Sequence, residues 1–201
     1  MTSFPIKAYS IVGPKGQPCQ KGSTDEGNNC GGLVLFEQTS EDSCTIKYDI
    51  SGLKQGTKVH PLGSGNKVPS MLHGFHVHLT ADFSNGCVSA GPHYNPFNKP
   101  HGPVESDERH AGGLGNIEQD ENGNSKGEMK DRLIKLTGEY SVIGRSMMVH
   151  ANEDDLGFGD NSKADEPGPP QDGFVSKITG NAGGRVACGE ILLGEPPAEK
   201  M

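Results

Sequence analysis

Apolar residues along this chain recur at every second position in short runs, with turn-forming residues between them. Alternation of that kind marks a strand with one buried and one wet face. It predicts strands near residues 6–12, 32–36, 44–50, 72–78, 115–119, 132–137, 145–150 and 185–193. Within the third, Cys44 keeps phase with Ile46, Tyr48 and Ile50, so it is expected in the core as a small apolar residue. The pair Asn122-Gly123 reads as a hairpin turn, because both residues tolerate positive φ. No stretch shows a helical period and no internal repeat emerges. Eight strands predict an all-β domain, either a closed barrel or a two-sheet sandwich. Three connections, residues 54–71, 79–113 and 151–184, are too long for ordinary turns. The first reads as a flexible surface insertion. The second is dense in His, Gly and Pro, and the third opens with Glu153-Asp154-Asp155 and runs through Pro167 and Pro170.

Composition agrees with this pattern. Thirty glycines, fourteen prolines and no tryptophan suit strands joined by loops better than packed helices. A chain of 201 residues fills one core comfortably and two poorly, so residues 1–201 are expected to form a single domain. No apolar run is long enough to span a bilayer, and the opening MTSFPIKAYS lacks the charged-then-apolar layout of a signal peptide. A cytoplasmic protein without membrane association is expected, with secretion as the alternative if a signal was removed. The formal charge of −8 argues against nucleic acid as a partner and poses a question for any enzyme that takes an anion. Cysteines stand at 19, 30, 44, 87 and 188, an odd count that allows at most two disulfides within the chain.

The histidines carry the candidate chemistry. His76 and His78 lie two residues apart in a strand, so both rings project from one face and can share a metal ion. His150 ends another apolar strand and can complete the set across the sheet. His93, His101 and His110 lie on the second long connection, at separations of eight and nine residues. Three imidazoles on a loop suit a structural metal. His60 is expected at the surface, and His73 is expected to support the ligands.

The segments Gly74-Phe75-His76-Val77-His78, Ala90-Gly91-Pro92-His93-Tyr94-Asn95-Pro96, Glu108-Arg109-His110 and Gly180-Asn181-Ala182-Gly183-Gly184-Arg185-Val186-Ala187-Cys188-Gly189 resemble the copper/zinc superoxide dismutase family. The resemblance implies an eight-stranded Greek-key barrel, an immunoglobulin-like two-sheet sandwich with long metal-binding and electrostatic loops. It implies copper bound by His76, His78, His93 and His150, and zinc by His93, His101 and His110, with His93 bridging the two. Asp154 would accept hydrogen bonds from His76 and His101 and so link the sites. Arg185 would orient the superoxide anion with its forked guanidinium, and His93 would carry a proton. The implied activity converts two superoxide anions and two protons to dioxygen and hydrogen peroxide by alternate reduction and oxidation of copper. Lys163 and Lys177 are candidates to add to the field, whereas Ile178 stands where the family often has a lysine. Cys87 and Cys188 match the family's internal disulfide, and Cys19 and Cys30 offer a second bridge that would favour an oxidising compartment.

The chain departs from the family pattern at three places. The fourth zinc ligand of the family is an aspartate three residues after the last zinc histidine, and here that position is Gly113. Losing the carboxylate removes a bond and a compensating charge, so a weakened zinc site is expected, with water, Asp107 or Glu108 in the vacancy. Insertions near 54–71 and 160–177 are the second departure, and a C-terminal tail over 194–201 is the third. A homodimer with Ile143-Gly144-Arg145 in the contact is implied, as is loading by a copper chaperone. The rival readings are a copper-binding or metallochaperone-like protein with little turnover, and a copper-only dismutase.

Overall fold

The computed structural model describes residues 3–14, 29–59, 67–168 and 174–198. In them the alternating segments form β1 Ile6–Val12, β2 Gly31–Ser40, β3 Ser43–Ser51, β4 Gly56–Val59, β5 Lys67–Ser70, β6 Leu72–His78, β7 Ser84–Cys87, β8 Gly113–Glu118, β9 Ser125–Asp131, β10 Ser146–His150, β11 Arg185–Glu190 and β12 Leu192–Leu193. One sheet runs β12-β1-β2-β3-β9 and the other β11-β10-β6-β8, while β4 and β5 pair only with each other. All pairings between named strands are antiparallel. Strands β9 and β10 each lie beside a strand that is not their neighbour in the chain, β3 and β6 respectively, which is the Greek-key crossing of a two-sheet barrel. The only helical turns among the described residues are Val88–Ala90 and Ser176–Thr179. No helix of the described residues is long and apolar enough to cross a membrane.

Period two decides what faces the core. Val34 and Phe36 of β2, with Cys44, Ile46 and Ile50 of β3, meet Phe75 and Val77 of β6, Met147 and Val149 of β10, and Ala187 of β11. Cys44 packs among them as expected, and burial pushes its thiol up to about 12. On β6 and β10 the intervening residues are His76, His78, Met148 and His150, and these are buried too. The outer face of the four-stranded sheet is therefore covered, and among the described residues its covers belong to the two long connections, 79–112 and 151–168 with 174–184. Met148 joins Ala90, Cys87 and Cys188 in a small second apolar cluster there. Cys87 and Cys188 form a disulfide across a sequence separation of 101 residues, tying the loop after β7 to β11. In the chain-entropy account, closing so long a loop stabilises the fold by about 4 to 5 kcal/mol.

Two segments depart from the alternation reading. Residues 132–137 are not a strand. Ile134 and Leu136 are buried as their spacing predicts, but apart from one isolated bridge, Lys135 to Ser141, the segment is tied by side chains, such as Leu136 N–H to Gln38 Oε1 at 2.7 Å. The strand lies just before it, as β9. Its residues opposite the core positions of β3 are Ser125, Gly127, Met129 and Asp131, so only one is apolar and the period is hidden. The stretch 54–71 is likewise more than an irregular insertion, since it contains the β4–β5 hairpin. His60 lies outside the described residues, as does Cys19, and with it the pairing of Cys19 and Cys30; Cys30 itself is buried.

Candidate metal centre

Register brings the strand histidines together. His76 of β6 lies opposite Met148 of β10, and His78 opposite Ser146, so His150 emerges at the end of β10 beyond His76. His93 reaches the same place through a bridge to His78. One potential ligand atom from each of His76, His78, His93 and His150 lies within 4.8 Å of the others, and the same holds for His93, His101 and His110. His93 belongs to both groups.

Each ring is aimed by the hydrogen bond on its other nitrogen, which fixes the tautomer. His78 donates from Nδ1 to the Gly91 carbonyl at 2.8 Å, and His150 from Nδ1 to the Gly183 carbonyl at 3.1 Å, so both present Nε2 inward. These Nε2 atoms lie 3.3 Å apart. His76 is turned the other way, donating from Nε2 to Asp154 Oδ2 at 2.7 Å. His101 donates from Nε2 to Asp154 Oδ1 at 2.8 Å. Their Nδ1 atoms are then left buried with no hydrogen-bond partner among the described residues. An orphaned buried ring nitrogen is costly in an apolar surround, and a metal ion is the partner that removes the cost. In the second group His93 Nδ1 faces His110 Nδ1 at 3.2 Å, which directs His93 Nε2 to the first group. The donor set thus fits one ion in each group.

Asp154 is 1% exposed and joins the two groups. Burial alone would raise its carboxyl, but hydrogen bonds from His101 and His76 outweigh this and hold it well below the usual carboxylate range. Asn116 grips its backbone on both sides, accepting from Asp154 N–H and donating to its carbonyl, each at 2.8 Å. Gly180, at φ 65°, lies so close to the carboxylate that any side chain there would displace it. Burial pushes the imidazoles of His78, His93 and His150 well below the ordinary histidine range, with the Arg185 charge adding to the effect at His78 and His150. His76 is lowered by burial in the same direction, and burial brings His110 down to about 4.

Arg185 pairs with His150 across β10 and β11. Its guanidinium donates to the carbonyls of Cys87 at 2.8 Å, Val88 at 3.0 Å and Gly91 at 2.7 Å, the segment that the disulfide anchors. His73 supports the site as expected, donating from Nδ1 to the His150 carbonyl at 3.0 Å. Lys163 stacks over Phe174 at 5.1 Å and lies 4.0 Å from Glu166, while Lys177 is exposed.

Among the described residues no carboxylate joins the three imidazoles of the second group, for Asp154 meets His101 on its other nitrogen. A Cβ built on Gly113 would point at His101, 3.8 Å from its Nδ1, with nothing nearer than the His110 carbonyl at 3.5 Å. Position 113 therefore faces the group and leaves room in it. Asp107 and Glu108, the expected substitutes, are turned away: Asp107 pairs with Arg132, and Glu108 with Lys99 at 2.8 Å. Both are exposed to solvent. Several parts of the site gave no signal in the sequence, because the carbonyls of Gly91 and Gly183 acquire a role only through folding. Arg109, quoted above only within a motif, is another. It is buried against Asp131 and donates to the Gly113 carbonyl at 2.9 Å and the His110 carbonyl at 3.1 Å, fixing the stretch that carries His110.

Comparison with known proteins agrees with the geometry. The family model for copper/zinc superoxide dismutase matches residues 30–191. A Cu-Zn superoxide dismutase of Saccharomyces cerevisiae is 46% identical over 163 residues, covering 81% of this chain and 89% of its own length. One from Debaryomyces hansenii is 46% identical over 165 residues, covering 82% and 90%. One from Claviceps purpurea is 46% identical over 162 residues, covering 80% and 88%.

Acid should empty the centre. The lowered histidines stay neutral in the fold while unfolded ones protonate near pH 6.5, so their stabilising contribution is complete above about pH 6.5 and is lost as pH falls below it, whereas the folded rings give up metal only at the lower pH where they themselves protonate. Metal held by the second group should be lost in dialysis as pH falls through about 4, where His110 protonates. Loss of that metal already complete at about pH 6 would contradict the assignment of these buried imidazoles as its ligands.

Proposed function

The chain belongs to the copper/zinc superoxide dismutase family and is an enzyme converting superoxide to dioxygen and hydrogen peroxide; we propose that His76, His78, His93 and His150 hold its copper and His93, His101 and His110 its zinc. The observation that carries this reading is the shared His93, with Nδ1 directed to one group and Nε2 to the other. When bound, copper supplies one-electron redox chemistry and zinc a fixed positive charge. Arg185 binds and orients the anion. Its fork is held rigidly by three carbonyls, so little freedom remains to be lost when superoxide arrives. His93 would take up a proton at Nε2 only while that nitrogen is not engaged by copper, and pass it to the reduced oxygen species. The overall balance is two superoxide anions and two protons giving one dioxygen and one hydrogen peroxide.

The direct test is metal content by mass spectrometry, paired with superoxide dismutation by the same loaded sample. One copper and one zinc per chain with fast turnover is expected. Arg185→Ala should keep the copper and lose at least about tenfold in kcat/KM, as expected for removing a preorganised charge at the reacting anion. Full copper with no turnover in the parent chain would support a copper-binding protein instead.

We further propose that zinc is held weakly, by three imidazoles with water completing its shell at the space beside Gly113. Tetrahedral zinc prefers four protein ligands in a structural site, and three neutral or shared imidazoles leave its charge poorly compensated. Gly113→Asp has room to reach the group. It should raise zinc affinity by at least about tenfold in calorimetric titration of the metal-free protein, since a direct ligand counts for no less than a residue that supports one. Equal affinity in the two proteins would refute the weakened site.

A homodimer is also proposed. Leu79, Leu192 and Leu193 are exposed at 41%, 40% and 62%, and they gather around the Ile143-Gly144-Arg145 turn. Gly144 N–H donates to the Ile191 carbonyl and Arg145 Nη1 to that of Leu79. Several exposed leucines at one end of a barrel are a surface that association would bury. Light scattering should give twice the chain mass, and Leu193→Glu should give the monomer; a parent protein that is monomeric at micromolar concentration rules the dimer out.

A further inference from the structure

We infer that the β4–β5 hairpin is a positioning element for the metal centre, acting through Thr57 and Ser70 on residues 152 and 153. The inference rests on the reading of His150 and Asp154 given above. Only Ala151, Asn152 and Glu153 separate those two residues, so the placement of this short segment sets the ring of one against the carboxylate of the other. Two of its three N–H groups are fixed by the turn before β11: Ala151 donates to the Gly184 carbonyl at 2.7 Å and Asn152 to that of Ala182 at 3.0 Å. The third belongs to the hairpin, for Glu153 N–H donates to the Thr57 carbonyl at 3.0 Å.

The side chains add to this seam. Asn152 Oδ1 accepts from both the backbone N–H and the hydroxyl of Thr57, each at 3.0 Å. Glu153 accepts from the Ser70 hydroxyl and lies 3.9 Å from Lys58 Nζ. Gly56, paired with Ser70 across the hairpin, approaches the Ala151 carbonyl too closely to carry a side chain. Thus both strands of the hairpin engage the segment.

What lies behind the segment strengthens the case. A cavity of about 200 Å³ is bounded by Leu53, Gly56, Thr57, His73, Ala151 and Asn152. Close packing therefore does not fix the segment from that side, and the polar seam must do so. His73, which holds the His150 carbonyl, borders the same space. An insertion into the dismutase pattern thereby becomes part of the support of a copper ligand.

The test uses the full chain loaded with copper(II), comparing Thr57→Val, Thr57→Ser and Ser70→Ala with the parent. Valine keeps the shape and strand preference of threonine but removes the hydroxyl. Thr57→Val should alter the copper hyperfine splitting in electron paramagnetic resonance and lower copper affinity about three- to tenfold, below the ten- to hundredfold typical of a residue bonded directly to a ligand. Thr57→Ser should restore both, and Ser70→Ala should shift the spectrum in its own right. Melting of the metal-free variants should move by no more than about 4 °C, as for the loss of one hydrogen bond. Spectra and affinities identical to the parent in Thr57→Val and Ser70→Ala would overturn the inference while leaving the copper site intact. Absence of a copper(II) signal in the parent would overturn the metal assignment and this inference together.

Discussion

The carboxylate of Asp154 is an anion buried in a protein interior, and such a charge is tolerated only when fully partnered. Its partners are His76 of β6 and His101 of the long second connection, with the Leu156 N–H as a further donor to Oδ1. By taking the Nε2 proton of each ring, it obliges both to show Nδ1 to the interior, where no other protein group meets them among the described residues. The same bonds that make the carboxylate tolerable therefore leave two nitrogens that demand metal. One interaction couples a strand, two loops and both ligand groups. Asn116 and Gly180, which neither bind metal nor titrate, follow from the need to seat this one side chain.

The rest of the outer face can be understood as a means of bringing those loops to the sheet. A four-stranded sheet with apolar residues on one side and His76, His78, Met148 and His150 on the other has no reason to bury its second face by hydrophobicity alone. The disulfide, the small cluster about Met148 and the fork of Arg185 pull the 87–91 segment onto it. The Gly91 carbonyl then serves two residues at once, accepting from His78 Nδ1 and from Arg185 Nη2. Through that shared acceptor, the arginine proposed to bind the anion and an imidazole proposed to bind metal hold a fixed relation to each other. Arg109 performs the corresponding task for the stretch that carries His110, from beneath.

How legible this was depended on whether side chains or backbone carried the role. The barrel could be read from alternation because its strands have an apolar inner row, and most of the predicted strands lie within a few residues of the observed ones. Strand β9 failed that rule, since its inner row is Ser125, Gly127, Met129 and Asp131, and the alternation of Ile134 and Leu136 just beyond it was mistaken for the strand. The six clustered histidines could be grouped from their spacing, and the resemblance supplied which of them share an ion. Nothing in spacing reveals that carbonyls of Gly91 and Gly183 choose the tautomers. Nor does it show that the polar, glycine-bearing stretch around Thr57 becomes a hairpin docked beside His150, because its own pattern is too short and its partners are almost a hundred residues away.

A net charge of −8 does not oppose capture of an anion here, because exposed charges far from the site are screened by salt while the site keeps its own sign. Lys7 with Glu195, Lys99 with Glu108, Lys126 with Asp49 and Lys135 with Asp42 are solvent-screened pairs whose fields fall off within about a Debye length, roughly 8 Å at physiological salt. Arg185 is held by carbonyl dipoles, which orient a guanidinium without cancelling its unit charge. Gly113 acts in the same direction. With no carboxylate in the second group, two metal cations in the centre would be opposed by one negative charge fewer than with an aspartate there. The glycine proposed to weaken the hold on zinc would thus also make the neighbouring copper site more positive, through the ring of His93 that the two groups share. With Ile178 standing where the family often has a lysine, Arg185 and that local excess together would attract superoxide.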